Sequence, residues 1–333
     1  MSENLVHPST AEISALAHQV LDGVGEVVVG MREPLKLALA AILSGGHVLF
    51  EDVPGLGKTL AARSLAQALG LDFSRLQCTP DLLPTDITGS VIFDPATRAF
   101  EVRKGPVFSG LFLADEINRT APKTQSALLE AMAEGQVSID GTTYPLPTPF
   151  HVIATSNPVE FEGTYPLPEA QLDRFMVRLT VGYLEAEQET QILTRRLARR
   201  EEKTHVAQVV SAQEVTAMQA GTETLHVDPD IIRYCVDIAH ATRRHSAIEV
   251  GVSPRGAQAL LLLARSYAVI DSRDYVLPED VKAVAVAALS HRITLTPTAW
   301  AAGIDPQVLV RELLNSVPAP ATTHAAAPAA SVS

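Results

Sequence analysis

Cysteine is nearly absent from this chain. Cys78 and Cys235 are its only two, far apart and with no C-x-x-C pair, so no disulfide framework is implied and a reduced compartment fits. Aromatic residues are scarce at 5%, against 47% hydrophobic residues overall, so a core of Leu, Val, Ile and Ala is expected. Positive charge is in deficit, with 26 Lys and Arg against 38 Asp and Glu and a formal net charge of −12. An acidic surface has little to gain from counterion release on a phosphate backbone, which argues against nonspecific nucleic-acid binding. No apolar run approaches the length of a membrane span. The opening "MSENLVHPST" lacks the basic segment and apolar block of a secretory signal. A soluble, cytoplasmic protein without membrane insertion is the expectation.

What the chain does have is a change of pattern. Its 333 residues suffice for one large domain and a smaller one. Residues 9–22 carry Ile13, Leu16, Ala17, Val20 and Leu21 at helical spacing, with Ser9 or Thr10 as cap and Glu12 close behind. "GEVVVGMREPLKLALAAILSGG" reads as a short extended piece and a second helix. Short apolar runs follow in "HVLFED", "DFSRLQCT", "GLFLADE" and "FHVIATSNP". Helical patterns alternate with them, notably "PKTQSALLEAMAEGQ". That alternation predicts an α/β fold with a mostly parallel sheet between helices. From residue 185 to about 315 the pattern becomes all helical. The expected division is an N-terminal helix (1–24), an αβα core (25–184), a helical lid (185–315) and a disordered Ala- and Pro-rich tail (316–333). Within the core, "DITGSVIFDPATRAFEVRKGPVF" alternates apolar and polar residues around "DPATR", predicting a β-hairpin near 86–105.

The richest stretch is "VLFEDVPGLGKTLAARSLAQALG", residues 48–70. A strand, a glycine loop and a helix in that order suit a phosphate. Gly55 and Gly57 let the main chain wrap it, and the helix N-terminus aims free amides at it. Lys58 can reach the outer phosphates, and the Thr59 hydroxyl can ligate Mg²⁺. The general spelling G-x-x-x-x-G-K-[ST] wants glycine where this chain has Asp52. Fifty-seven residues beyond Lys58, an apolar run ends in Asp115 and Glu116. Asp115 suits metal binding and Glu116 suits orienting the attacking water. A third run ends in Thr155, Ser156 and Asn157, where an amide can bond the terminal phosphate. Ser156 has no histidine in a local motif, which argues against acyl transfer. His240 and His245, five apart, do not share a helix face, so no zinc site is expected. The basic run "RRLARR" (195–200) sits among glutamates and reads as a charge-laced solvated face.

Together "EDVPGLGKT", "GPVFSGLFLADEINRTAPKTQSALLEAMAEGQV", "ATSNPVEFEGTYPLPEAQLDRF" and "GVSPRG" closely resemble the MoxR family of AAA+ ATPases, from about residue 25 to about residue 295. Relatives often carry Asp at the position of Asp52, and commonly Gln where Met31 stands, a local difference near the nucleotide base. The resemblance implies an AAA+ P-loop fold binding ATP and Mg²⁺. By it Asp52, Val53, Pro54, Gly55, Leu56, Gly57, Lys58, Thr59 and Leu60 form the Walker A segment, and Asp115 and Glu116 form Walker B. Asn157 matches the first sensor. Arg255 matches the second sensor, touching the phosphates of its own subunit. Arg174 looks like an arginine finger that reaches a neighbour's nucleotide. The hairpin, in the family, interrupts the second core helix and faces the pore. A homo-oligomeric ring of six and a protein client, a von Willebrand factor A domain protein, are also implied. Two other readings stay open on the residues alone: a nonhydrolysing, nucleotide-dependent scaffold, and a DNA-directed motor of related fold.

Overall fold

A computed structural model describes residues 7–158, 163–201 and 204–320. The tail beyond residue 320, the "VEFE" portion of the MoxR-like third block and Glu202 therefore lie outside the described residues.

The first part of the chain runs α1 (Thr10–Gly25), α2 (Arg32–Leu43), β1 (Val48–Glu51), α3 (Lys58–Ala68) and β2 (Phe73–Gln77). It continues with α4 (Pro84–Thr88), β3 (Gly89–Asp94), β4 (Ala99–Lys104), β5 (Leu111–Asp115), α5 (Pro122–Glu134), β6 (Gln136–Ile139), β7 (Thr142–Pro145), β8 (His151–Ser156), α6 (Glu169–Leu172) and β9 (Val177–Leu179). The helical part comprises α7 (Ala186–Arg199), α8 (Ala212–Glu223), α9 (Pro229–Arg244), α10 (Pro254–Ile270), α11 (Pro278–Leu289), α12 (Pro297–Ala301) and α13 (Pro306–Ser316). Between α9 and α10, Ile248–Val250 pairs antiparallel with Thr294–Leu295.

Helix starts follow from local chemistry. Ser9 and Glu12 form a reciprocal capping box on α1, and Ser211 and Glu214 do the same on α8. Helices α4, α5, α9, α10, α11, α12 and α13 carry proline in their first turn, where the missing N–H would have no intrahelical partner. The expected extended piece before α2 is instead a turn, residues 26–31. Val27 and Val28 both donate to the Val24 carbonyl at the end of α1.

Five strands form one parallel sheet in the order β2-β5-β8-β1-β9. Its interior strands are buried along almost their whole length and apolar at their centres because both faces are covered. Alternate side chains serve different interiors. Leu111 and Leu113 of β5, Val48 and Phe50 of β1 and Ile153 of β8 join a large cluster with α1, α2, α3 and the C-terminal helices. Phe112 and Ala114, Leu49, and Val152 and Ala154 join a second cluster with α5, Ile87 and Val107. Strand β9 is not evident in the sequence pattern, since it is three residues long and carries Arg178 at its centre. Arg178 is accommodated by an ion pair with Glu51 at 2.9 Å.

The hairpin read around "DPATR" is β3–β4, paired from Gly89–Lys104 to Asp94–Ala99. Helix α4 leads into it, and turns at residues 105–110 lead out to β5, so a helix flanks it on one side only. A second hairpin, β6–β7, turns through Asp140 (φ 49°) and Gly141 (φ 78°), the paired positive angles of a two-residue turn.

Candidate functional site

The loop between β1 and α3 lies where the sheet's carboxyl ends open into a crevice, as ligand sites in such sheets do. Gly55 (φ 86°) and Gly57 (φ 81°) take left-handed angles that let the main chain fold back over Lys58, the first residue of α3. A cavity of about 320 Å³ opens here, and Lys58, Thr59, Asp115, Glu116 and Asn157 all line it. The sequence-derived residues of the loop and of two strand ends are therefore brought together.

Lys58 is buried, and its Nζ donates to the Asp52 carbonyl. Burial pushes its pKa below the ordinary lysine value, and the charges of Asp52, Asp115, Glu116 and Glu51 oppose that shift. A buried ammonium facing an open cavity is a strong electrostatic invitation to a phosphate.

Asp52 resolves the unusual loop spelling. It is not among the residues with positive φ, so its backbone does not require glycine. Its carboxylate is put to use. Oδ1 accepts from the Val53 amide at 2.8 Å, and Oδ2 accepts from the amides of Val181 and Gly182, both at 2.7 Å. The loop is thereby pinned to the segment that leads from β9 to α7.

Thr59 Oγ1 donates to Asp115 Oδ2 at 3.1 Å. A hydroxyl and a carboxylate oxygen converging on one point of the cavity wall are hard donors of the kind Mg²⁺ takes, so these residues fit that ion. Thr155 fixes the other side. Its hydroxyl donates to Asp115 Oδ1 at 2.6 Å and accepts from the Glu116 amide at 2.8 Å. Glu116 itself has φ 59° and ψ 51°, a left-handed conformation unusual outside glycine. That backbone turn, held by Thr155, lets two consecutive acids serve one site although strand neighbours point to opposite faces. Asn157 is buried, and its carbonyl accepts from Asn118 Nδ2 at 3.0 Å.

The sequence reading missed two residues on β2. Arg75 reaches Asp115 Oδ2 through Nε at 3.0 Å and Nη2 at 2.8 Å. Gln77 donates to Glu116 Oε2 at 2.8 Å. Arg119 holds the same carboxylate oxygen at 3.1 Å. The available signal was an Arg and a Gln two apart, hence on one face of a short strand.

A second cavity of about 270 Å³ adjoins the first across Gly55, Gly57 and Leu60. Val27, Val28, Val29, Met31, Leu56, Leu184 and Ile192 line it together with Glu189, a largely apolar setting with one carboxylate. Pro54 belongs to the first cavity. Arg195, in the run read as a solvated face, instead donates to the carbonyls of Gly25 and Glu26 at 2.9 and 2.7 Å. It satisfies the exposed C-terminus of α1 and holds α7 beside this cavity.

Arg174 and Arg255 are not brought to the loop. Arg174 donates to the Leu129 carbonyl at 2.7 Å and makes no ion pair among the described residues. Asp173 pairs instead with Arg292, whose guanidinium also bonds the Phe175 and Met176 carbonyls. Arg255 is exposed, and Gly256 beside it lies against Arg292, which bonds the Met176 carbonyl, while the Met176 amide donates to the His47 carbonyl. His47 precedes β1 whereas the loop follows it, and extended chain separates the two ends by about 16 Å. This placement does not fit the expectation that Arg255 touches its own subunit's phosphates. The reason is tertiary: α10, which carries Arg255, packs on α1 and α2, behind the start of the sheet.

Comparison with known proteins agrees with this geometry. Residues 47–177 match the family described as "ATPase family associated with various cellular activities (AAA)", and residues 240–313 match the AAA lid domain. The chain is 46% identical over 313 residues to the protein YeaC of Bacillus subtilis, covering 93% of this chain and 96% of that one. It is 40% identical to Chaperone MoxR1 of Mycobacterium tuberculosis (93% and 84% covered) and 33% identical to Protein MoxR of Paracoccus denitrificans (81% and 86% covered). A protein of Cytophaga hutchinsonii of known crystal structure is 43% identical and superimposes with a TM-score of 0.87, over 94% of this chain and 97% of its own. A phosphate loop, a paired-acid strand end and a helical lid in one arrangement, shared along nearly the whole length of these relatives, establish that the chain belongs to the MoxR family of AAA+ ATPases.

Proposed function

We propose that the protein hydrolyses ATP, with Mg²⁺, in a homo-oligomeric ring of six subunits, and uses that energy as a chaperone-like factor on a protein client in the cytoplasm. The observation that carries the reading is the convergence of Lys58, Thr59, Asp115, Glu116 and Asn157 on one cavity beside a largely apolar one. In this reading the amides of residues 55–59 and Lys58 bind the phosphates, Thr59 and Asp115 hold the metal, and Glu116 accepts the proton of the attacking water. The metal, when bound, neutralises charge on the outer phosphates. Asn157 orients the terminal phosphate.

Arg174 and Arg255 supply the remaining charge, each to a neighbouring subunit's nucleotide. Arg174 is two residues before Met176, whose amide bonds the His47 carbonyl, and Arg255 is next to Gly256, which lies against Arg292; positions near the start of the sheet favour this over service to their own loop. A guanidinium offered in trans is worth about 10³–10⁵ in rate. The chaperone name of one relative supports a protein client, and the choice of a von Willebrand factor A domain protein rests on the family resemblance alone.

Phosphate release by the assembled protein tests the reading. Lys58→Ala is expected to lose nucleotide binding. Glu116→Gln is expected to bind nucleotide and turn over at least about a hundredfold more slowly. Undiminished turnover in both refutes the site. Mixing Lys58→Ala with Arg174→Ala separates the trans assignment: each inactive alone, together they should recover part of the activity at mixed seams.

A further inference from the structure

Arg75 is unexplained by the proposed hydrolysis, yet it occupies the oxygen on which that chemistry depends. Strand β2 is an edge strand, and its register with β5 sets Gln77 against Asp115. Arg75 and Gln77, two residues apart, therefore share the face that looks into the cavity. Of the two Asp115 oxygens, Oδ1 is taken by the Thr155 hydroxyl. The other, Oδ2, receives Nε and Nη2 of Arg75 as well as the Thr59 hydroxyl. The hydroxyl and carboxylate that fit Mg²⁺ thus meet at the atom the guanidinium covers. Mg²⁺ coordination needs an oxygen at about 2.0–2.1 Å with near-octahedral room around it. Arg75 cannot stay on Oδ2 while that is satisfied, because two cations would share one carboxylate edge. It is free to leave, since its side chain is 43% exposed whereas that of Asp115 is 11% exposed.

We propose that Arg75 is an electrostatic placeholder for the metal: it holds the Asp115 carboxylate in the nucleotide-free site and yields it only when nucleotide phosphates arrive to take up the displaced guanidinium. The proposal rests on the reading of the cavity as a Mg²⁺–nucleotide site. Its consequence is that free divalent cations do not load the empty site. Arg75 Nη2 also donates to Gln77 Oε1 at 2.9 Å, and Gln77 holds Glu116.

Mn²⁺ is the probe, titrated into the full chain without nucleotide and followed by electron paramagnetic resonance. Wild type should bind it weakly. Arg75→Gln should bind at least about tenfold more tightly, since a unit charge about 5 Å from a divalent ion costs that much even at the dielectric of water. Arg75→Lys, which keeps the charge, should stay near wild type. Adding Asp115→Asn to Arg75→Gln should abolish the gain. Arg75→Met, which keeps the aliphatic stem, replaces the Gln variant if that one loses its melting transition. Equal Mn²⁺ affinity in wild type and the uncharged variants overturns the placeholder role, as does Arg75→Lys binding as tightly as Arg75→Gln. Calorimetry of Mg²⁺–ADP on wild type is a separate measurement. No binding there overturns the nucleotide reading itself, whereas ADP binding with unchanged Mn²⁺ affinities sinks the Arg75 proposal alone.

Discussion

Replacing Asp52 by glycine restores the general spelling of the phosphate loop, and it should nevertheless harm the protein. The Asp52 carboxylate accepts three main-chain hydrogen bonds, one inside the loop and two from residues 181 and 182. A hydrogen bond to a charged group contributes about 1.5–3 kcal/mol when its donor has no substitute. Gly182 is exposed and Val181 half-buried, so water recovers part of the loss at those amides. A net cost of about 2–4 kcal/mol is expected for Asp52→Ala. Asp52→Gly should lose about 0.5–1 kcal/mol more through the freedom it gives the unfolded chain. Asp52→Asn keeps one accepting oxygen and should fall between wild type and Ala. Urea unfolding followed by circular dichroism measures this. Fluorescence is a poor probe, because Trp300, the only tryptophan, is 76% exposed. ADP affinity should fall in parallel, since the loop loses its tie to the β9–α7 segment. An Asp52→Gly protein with wild-type stability and wild-type ADP affinity would refute the pinning argument.

Two further outcomes concern buried charge. His47 and His151 are both buried, and burial is the main cause that drives their pKa values down to about 3 and about 4 from 6.5. They bond the Met132 and Gly46 carbonyls as neutral rings. The folded state thus binds fewer protons than the unfolded one below pH 6.5. The stability this represents is complete above that pH and drains away as pH falls toward 4. At pH 5 the loss should be about 2 kcal/mol per ring, about 4 in all. Urea midpoints at pH 7 and 5 measure it, and a His47→Gln/His151→Gln protein with an equally steep pH dependence would exclude these rings as its source. Arg292, with its side chain 3% exposed, pairs with Asp173 at 2.6 Å and serves the carbonyls of Phe175 and Met176. Arg292→Met should cost about 3–5 kcal/mol by stranding those acceptors, read as a depressed melting temperature. An unchanged melting temperature would contradict the burial argument.

Much of the architecture was legible because it is locally encoded. Strands β1, β5 and β8 are apolar runs followed by chemistry, and Ser9, Ser211 and seven first-turn prolines announce helices. Strand β9 was hidden because Arg178 interrupts its apolar character, and only Glu51, 127 residues away, explains that. The β6–β7 hairpin did carry a readable sign, Asp140–Gly141, that the reading passed over. In the site, Lys58, Thr59, Asp115 and Glu116 follow from motif chemistry. Arg75 and Gln77 do not, because their partners are set by the register of β2 on β5. The use of the Asp52 side chain was equally hidden, its partners lying 129 and 130 residues downstream. The location of Arg255 was hidden on the same ground, since motif order carries no information on which end of the sheet a lid helix will cover.

One apolar interior runs unbroken from α1, α2 and α3 through the sheet's face into α8, α9, α10, α11 and α13. A subunit built this way has no dry hinge near residue 184. Swinging its C-terminal half free would wet leucines and valines from both halves at once, so the two halves are expected to move together. Severing the chain at that point should therefore leave two insoluble pieces rather than two domains.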